Sequence, residues 1–363
     1  MPEKKTKYLI IGGGLAGTLL SRTMEKYGQD FLLVDKPELS NASRIAGGMF
    51  NPVVFRRLQK SWMADQIIPF LHDFYPEFEK HLDEQFFYPR KLVKIMGSEE
   101  GEFWKSKVDE NPYISKEIKE YFPQEEIAHP DGAGEVAYAG NVDIAIMINS
   151  WHSHLNEKGL LIPEKFDFDS LEISKNSIRW KNVEAEKIIF ADGWLVEHNP
   201  YFNFIPLKPT KGEVLTIEVP GFSSDYIINK KIWMLPVGKN RFRVGSTYRW
   251  DDLNEIPREQ TKAEILEILE KYLKLPYEVK DHQAGVRPTV GDRRPLLGKH
   301  PGYENLLIFN GLGTKGVMLG PWFADHFLQH LEQGKELMPV VNVRRFQRRW
   351  FKKKSQNSNS KFQ

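Results

Sequence analysis

The sequence predicts an α/β fold whose α/β part comes from both ends of the chain, with a mixed, largely antiparallel sheet domain inserted between them. Three observations carry this. The chain opens on strand, helix and strand within about 30 residues, the size of one βαβ unit. It closes on strand, glycine turn and long helix. Between these lie "GEVLTIEV", "YIINKKIWMLPV" and "RFRVGSTYRW", β-rich segments parted by turn residues.

Each element has a local reason. "KYLIIGG" is short, apolar and bounded by glycines, the pattern of a buried strand. "LAGTLLSRTMEKYG" has helical spacing, with Leu15, Leu19, Thr23 and Lys26 stepping around the turns and Gly28 as its stop. "DFLLVDK" is the next strand. "SWMADQIIPFLHDFYPEFEKHL" carries aromatic and aliphatic residues on one helical side. "VDIAIMINSWHSHLNEKG" is a helix with Asp143 as its N-cap and Gly159 past its end. "KIIFADGW" is a strand running into Gly193. "TKAEILEILEKYLKL" is an amphipathic helix, and "NLLIFNGLGTKGVMLGPWFADHFLQHLEQG" is the closing strand, turn and helix. The expected division is a discontinuous first domain of residues 1–60, 136–200 and 282–343, a second of 61–135 and 201–281, and a basic tail of 344–363.

At 363 residues the chain exceeds one compact core, and 40% apolar with 28% charged residues is ordinary for a globular protein. It has no cysteine. That excludes disulfides, thiolate metal sites, iron–sulfur clusters, a cysteine nucleophile and a cysteine-linked cofactor. The basic start and apolar stretch of "MPEKKTKYLIIGGGLAG" mimic a signal peptide, but the glycines and strand pattern make it part of the fold. No apolar run approaches the roughly 20 residues of a membrane span. A cytoplasmic location is the expectation. The tail "RRFQRRWFKKKSQNSNSKFQ" has eight Lys and Arg and no acid; against +2 for the whole chain, the remainder is −6. Such a tail can meet nucleic acid or anionic lipid, but a solvated, frayed end is the favoured reading.

Gly12, Gly14 and Gly17 form G-x-G-x-x-G between a strand and a helix, and Asp35 ends the next strand, 18 residues past Gly17. The glycines serve a tight turn, close approach of backbone to a pyrophosphate, and helix–strand packing; the acid binds ribose hydroxyls. The helix N-terminus adds N–H groups and positive dipole. This is a Rossmann-like dinucleotide signature, with FAD and NAD both open. In "FNGLGTKGVMLGP" a second glycine turn precedes a helix, whose start suits the anionic side of a reduced flavin; helix packing alone also accounts for the glycines. "QAGVRPTVGDRRPLLG" sets three arginines in a stiff run. A guanidinium there faces a carboxylate or phosphate of a ligand, or an internal partner such as Asp292 or Asp281.

Four segments in order, "YLIIGGGLAG", "ASRIAGGM", "KIIFADGW" and "AGVRPTVGDRRPLLG" with "NGLGTKGVMLGP", resemble the D-amino-acid oxidase and glycine oxidase family of FAD-dependent oxidoreductases. The chain is also similar to the oxidase half of the bifunctional tRNA wobble-uridine modification enzyme, notably at "GLGTKG". The resemblance implies a Rossmann-like FAD-binding domain, FAD as cofactor, and Arg287 gripping a substrate carboxylate. It implies FAD contacts from Gly12, Gly14, Leu15, Ala16, Gly17, Asp35 and Lys36. It extends them to Ser43, Gly47, Gly48 and Met49, to Gly193, and to Gly311, Gly313, Thr314, Lys315 and Gly316. Arg293 and Arg294 keep the salt-bridge reading. Tyr248, ending a strand, lines the pocket or is a cross-strand aromatic. Arg56, Arg57, Lys60 and Trp62 are active-site groups or solvated surface. His152 and His154, two apart on a helix, do not share a face, so no metal site is expected.

The expected activity is FAD-dependent oxidation of the C–N bond of a small carboxylate-bearing amine or amino acid, with the electron acceptor open. The alternatives are oxidation of a modified tRNA base, with the tail holding RNA, and a flavin-binding protein without turnover of its own.

Overall fold

The computed structural model describes residues 4–36, 42–122 and 125–359. It divides into two compact units, Met1–Ser40 with Met147–Pro209 and Arg287–Gln363, and Asn41–Ile146 with Thr210–Val286. The expected bounds run elsewhere. Residues 42–60 and 136–146 lie in the second unit, because Met49–Phe50 pairs antiparallel with Asn141 and Gly140. Residues 201–209 lie in the first, where Leu207 bridges Val290 and the Lys208 N–H donates to the Thr289 carbonyl at 2.7 Å.

The first unit is built on an eight-stranded sheet. Lys4–Ile11 lies parallel between Val183–Phe190 and Phe31–Val34. The far edge of Val183–Phe190 is shared: its start pairs antiparallel with Ile178–Trp180, its end parallel with Tyr303–Asn310. The central strands are buried on both faces and read as continuous apolar runs, as parallel strands must. Helices Leu15–Lys26 and Gly316–Gln333 meet where Gly316 and Gly320 leave room for Leu15 and Leu19. Trp180, Phe190, Phe202 and Ile308 belong to the core on this sheet.

The second unit carries a nine-stranded mixed sheet. Thr210–Glu218, Arg241–Gly245, Ile232–Gly238 and Ile227–Lys230 pair antiparallel in the order Thr210–Glu218, Arg241–Gly245, Ile232–Gly238, Ile227–Lys230, and Ile227–Lys230 then pairs parallel with Phe87–Ile95. Alternate residues Phe242 and Val244, with Leu215, Ile217 and Met234, face one core shared with Ile265 and Leu269 of helix Glu259–Glu270. Lys211 is fully buried, and its ammonium is satisfied by Asn254 Oδ1 at 2.9 Å, the Ile256 carbonyl at 2.6 Å and Asp252 Oδ2 at 3.3 Å. A buried cation demands such partners, so it ties the 252–256 loop to the start of the strand Thr210–Glu218. Asp143 caps helix Ile144–Glu157 as expected, accepting from the Ile146 N–H at 3.0 Å.

The tail is not a frayed end through residue 354. Val343–Phe346 and Gln347–Asn359 are helical. Trp350 stands edge-on to His300 and fills the space above Gly302, Arg345 pairs with Asp292 at 2.9 Å, and Arg344 with Glu304 at 3.3 Å. The aromatic anchor was hidden among charges. Asp292 thus pairs with Arg345 and also accepts from the Arg294 backbone N–H at 3.0 Å. Removing residues 355–363 is expected to leave the folding midpoint unchanged. Trp350→Ala is expected to lower stability by about 1–3 kcal/mol, as truncating a part-buried aromatic does, read by denaturant titration.

His300 beneath that anchor is fully buried. Its Nδ1 accepts from the Gly302 N–H and its Nε2 donates to the Tyr201 carbonyl, both at 3.0 Å. Only the neutral ring can do both, and burial pulls its pKa down to about 4. The unfolded chain therefore binds the proton first, and this site loses stability as pH falls from 6.5 to about 4, by on the order of 3 kcal/mol. His300→Gln is expected to flatten that part of the stability–pH profile, measured as the difference from wild type.

Candidate cofactor and active site

In the first unit three strand ends lie in one row with Ile308, two residues before the end of the fourth strand: Ile11 registers with both Val34 and Phe190, and Phe190 with Ile308. The turns that follow emerge together at the carboxyl edge of the parallel strands, where open α/β sheets bind ligands. Gly12 has φ +101°, and a Cβ there would stand 2.6 Å from the Ala191 carbonyl oxygen. A Cβ on Gly17 would stand 1.8 Å from the Gly12 oxygen. Both positions demand glycine before any ligand is considered. Gly13 is held from two sides: its N–H donates to Asp35 Oδ1 at 2.8 Å, and its carbonyl accepts from His152 Nε2 at 3.0 Å and the Thr18 hydroxyl at 3.1 Å. Helix Leu15–Lys26 begins at Gly14 with no side-chain cap and no acid in its first turn to compete for its positive pole. Ala16 is buried, Leu15 packs beneath Gly316, and Lys36 is exposed.

The second glycine turn, Gly311–Gly316, opens helix Gly316–Gln333, with Thr314 exposed and Lys315 half-buried. Burial pulls the Lys315 ammonium down to about 8. Arg287 ends the strand Glu278–Arg287 and is half-buried. Its carbonyl accepts from the Thr289 N–H at 2.9 Å across Pro288, a tight, stiff support. Two buried polar atoms beside these turns have no hydrogen-bond partner among the described residues: Thr289 Oγ1, next to Gly313, and Trp194 Nε1, next to Gly193. Such orphans are rare in a finished core and fit a polar ligand. Neither was singled out by sequence, nor was His152 as a brace. His152 and His154 indeed serve different neighbours, the latter pairing with Glu25 at 2.8 Å.

In the second unit Ser43 lies in the short helix Ala42–Ile45, followed by Gly47, Gly48 and Met49. Gly47 lies against the ring of Trp233, and Gly48 against the Val142 carbonyl. Arg243 projects from the sheet face opposite Phe242 and Val244 and donates to the carbonyls of Ala46, at 3.1 Å, and Ile45. An arginine alternating with core residues was the available signal for this brace. Tyr248 does not end a strand: the strand stops at Gly245, and Tyr248 lies more than half exposed before the Lys211–Arg249 bridge. Arg56, Arg57 and Lys60 are exposed on the hairpin of Val53–Val54 and Gln59–Lys60, with Lys60 paired to Asp65 at 2.8 Å.

The sequence profile of the family DAO, FAD dependent oxidoreductase, matches residues 7–329. The chain belongs to this family. It is 22% identical to the glycine oxidase of Pseudomonas aeruginosa over 93% of this chain and 96% of that one. It is 23% identical to the tRNA 5-methylaminomethyl-2-thiouridine biosynthesis bifunctional protein MnmC of Legionella pneumophila over 94% of this chain, which spans 57% of that protein. The crystal structure of iminodiacetate oxidase from Chelativorans sp. BNC1 superposes with a TM-score of 0.76 at 17% identity, covering 92% of this chain and 97% of that one. Among the described residues no helix is long and apolar enough to cross a membrane.

The protein is thus an FAD-dependent oxidoreductase, and the uncapped helix start, the close-packed glycines and the orphaned Thr289 and Trp194 groups fit a dinucleotide such as FAD. Gly14 offers a clean test, since its φ of −68° suits any residue. Purified protein is expected to be yellow and to release FAD on heat denaturation, and Gly14→Val to be folded but flavin-free. Wild-type flavin content in Gly14→Val would remove this turn from the cofactor site.

Proposed function

We propose that this oxidoreductase oxidises the C–N bond of a small amine bearing a carboxylate, with Arg287 as the carboxylate's partner. The observation that carries the reading is Arg287 itself, a half-buried guanidinium on a strand end stiffened by Pro288 and the Thr289 turn. The glycine oxidase and iminodiacetate oxidase to which the chain is similar are named for small amines with carboxylates, which supports the same reading.

Bound FAD supplies the acceptor for a hydride leaving the carbon next to nitrogen. Gly12, Gly14, Leu15, Ala16 and Gly17 would hold its phosphates through backbone and helix pole, with Asp35 and Lys36 at the ribose. Gly193, Gly311, Gly313, Thr314 and Gly316 would complete the cradle in the first unit, and Ser43, Gly47, Gly48 and Met49 are FAD contacts that the family resemblance implies. Lys315 and the start of helix Gly316–Gln333 add positive charge that favours electron uptake. Arg287 would orient the substrate by a two-pronged contact, and Tyr248 is kept as a candidate pocket residue on the resemblance alone. The nitrogen's lone pair forms the C=N bond as the hydride departs, leaving an iminium ion that takes up water and releases carbonyl product and protonated amine.

The test is anaerobic flavin reduction by a panel of amino acids and secondary amino acids, with thermal melts alongside. Hydrogen bonds to charged groups contribute about 1.5–3 kcal/mol each, so Arg287→Ala is expected to lower kcat/KM by on the order of 10²-fold or more while keeping FAD. Lys rescues little, because a point charge lacks the fork. Unchanged reduction kinetics in stable, FAD-loaded Arg287→Ala would sink the assignment. A second reading, a modified tRNA base as substrate, draws on the likeness to the tRNA bifunctional protein. It requires salt-dependent tRNA binding that is lost on deleting residues 344–363.

A further inference from the structure

Asp192 follows the strand Val183–Phe190 and is absent from the residues assigned to cofactor or substrate above. Its Oδ1 accepts from Asn310 Nδ2 at 2.9 Å and its Oδ2 from Asn199 Nδ2 at 3.1 Å. Both asparagines are fully or almost fully buried. Asn310 does more with the same amide: Nδ2 also donates to the Gly193 carbonyl at 2.9 Å, and its Oδ1 accepts from the Gly311 N–H at 2.7 Å. On its other side, the backbone of Ala191 and Asp192 is what closes on Gly12, with the Asp192 Cα 3.2 Å from where a Gly12 Cβ would be. One carboxylate and one carboxamide therefore link the turns after three adjacent parallel strands, Lys4–Ile11, Val183–Phe190 and Tyr303–Asn310.

We infer that Asp192, acting through Asn310, is a positioning residue for FAD that sets the spacing of the Gly12, Gly193 and Gly311 turns and links cofactor affinity to its own protonation. The inference rests on FAD occupying those turns. Among the described residues no charged group pairs with the carboxylate. Facing it are the amides Asn199 and Asn310; Glu197 and His198 of the turn Gly193–His198 are exposed, and Lys4–Ile11 ends in apolar Ile10 and Ile11. Asp192 as a residue is half-buried, yet burial pushes its carboxyl up to about 6, outweighing the lowering by the two amides. A diphosphate bound nearby would favour the protonated form further. FAD should therefore be held more tightly at low pH and released more readily as pH rises through 6.

The experiment dilutes the FAD-loaded full chain and follows recovery of flavin fluorescence at pH 5, 6, 7 and 8, with melts of each holoprotein. Asp192→Ala and Asn310→Ala are expected to weaken FAD binding about tenfold, and the double variant by less than the product, because one network is broken twice. In the wild type, binding weakens several-fold from pH 5 to 8. Asp192→Asn keeps the shape but not the titration, so its affinity should be flat with pH; a purely structural role would leave the wild-type profile in place. Should Asp192→Ala not fold, Asp192→Asn and Asn310→Ala decide. Wild-type affinity in Asp192→Ala, or a wild-type pH profile in Asp192→Asn, overturns the inference alone. Retained FAD in Gly14→Val overturns the placement of the cofactor as well.

Discussion

Everything in the first unit depends on how closely the Gly12 turn is packed. Its carbonyl oxygen occupies the space of a Gly17 Cβ, and its α-carbon faces the Ala191 carbonyl. These approaches set helix Leu15–Lys26 directly on the sheet and bring its positive pole to the strand ends. Because Ile11, Val34, Phe190 and Ile308 share one row, the turns beyond them emerge level with one another. A dinucleotide needs several backbone segments at one height, and parallel register provides that without any side chain designed for it.

The second unit solves a different problem, that of holding an irregular segment still. Residues 42–50 have little regular structure of their own beyond one helical turn and two strand residues. Their carbonyls are gathered by Arg243, their glycines lie under Trp233 and Val142, and Met49–Phe50 joins a sheet edge. Glycines that suggest cofactor contact thus also have an internal steric account, and the two are compatible.

Buried polar groups recur at the joints of this protein. Lys211 carries a loop, His300 anchors the C-terminal helix in its neutral form, and Asp192 links glycine turns. Each substitutes a directional bond for apolar area at a place where the backbone is irregular. The cost is sensitivity to protonation, because desolvation moves the titration of His300 and Asp192 toward the physiological range or away from it in opposite senses.

Local pattern alone determined the βαβ opening, the β-rich insert, the closing strand–turn–helix, the Asp143 cap and the family resemblance through G-x-G-x-x-G and G-V-R-P, because each depends on residues close in sequence. The division between units was decided only in three dimensions: Met49–Phe50 pairs across 90 residues with Asn141 and Gly140. The docked tail depended on Trp350 finding His300 and Gly302, a contact that a run of eight cations disguises. The polar braces were equally out of reach. Asp192 and Asn310 lie 118 residues apart, Arg243 and Ala46 197 apart, and His152 and Gly13 139 apart. A hydrogen bond requires about 3 Å and a direction, and one-dimensional spacing carries neither once the chain has crossed a sheet.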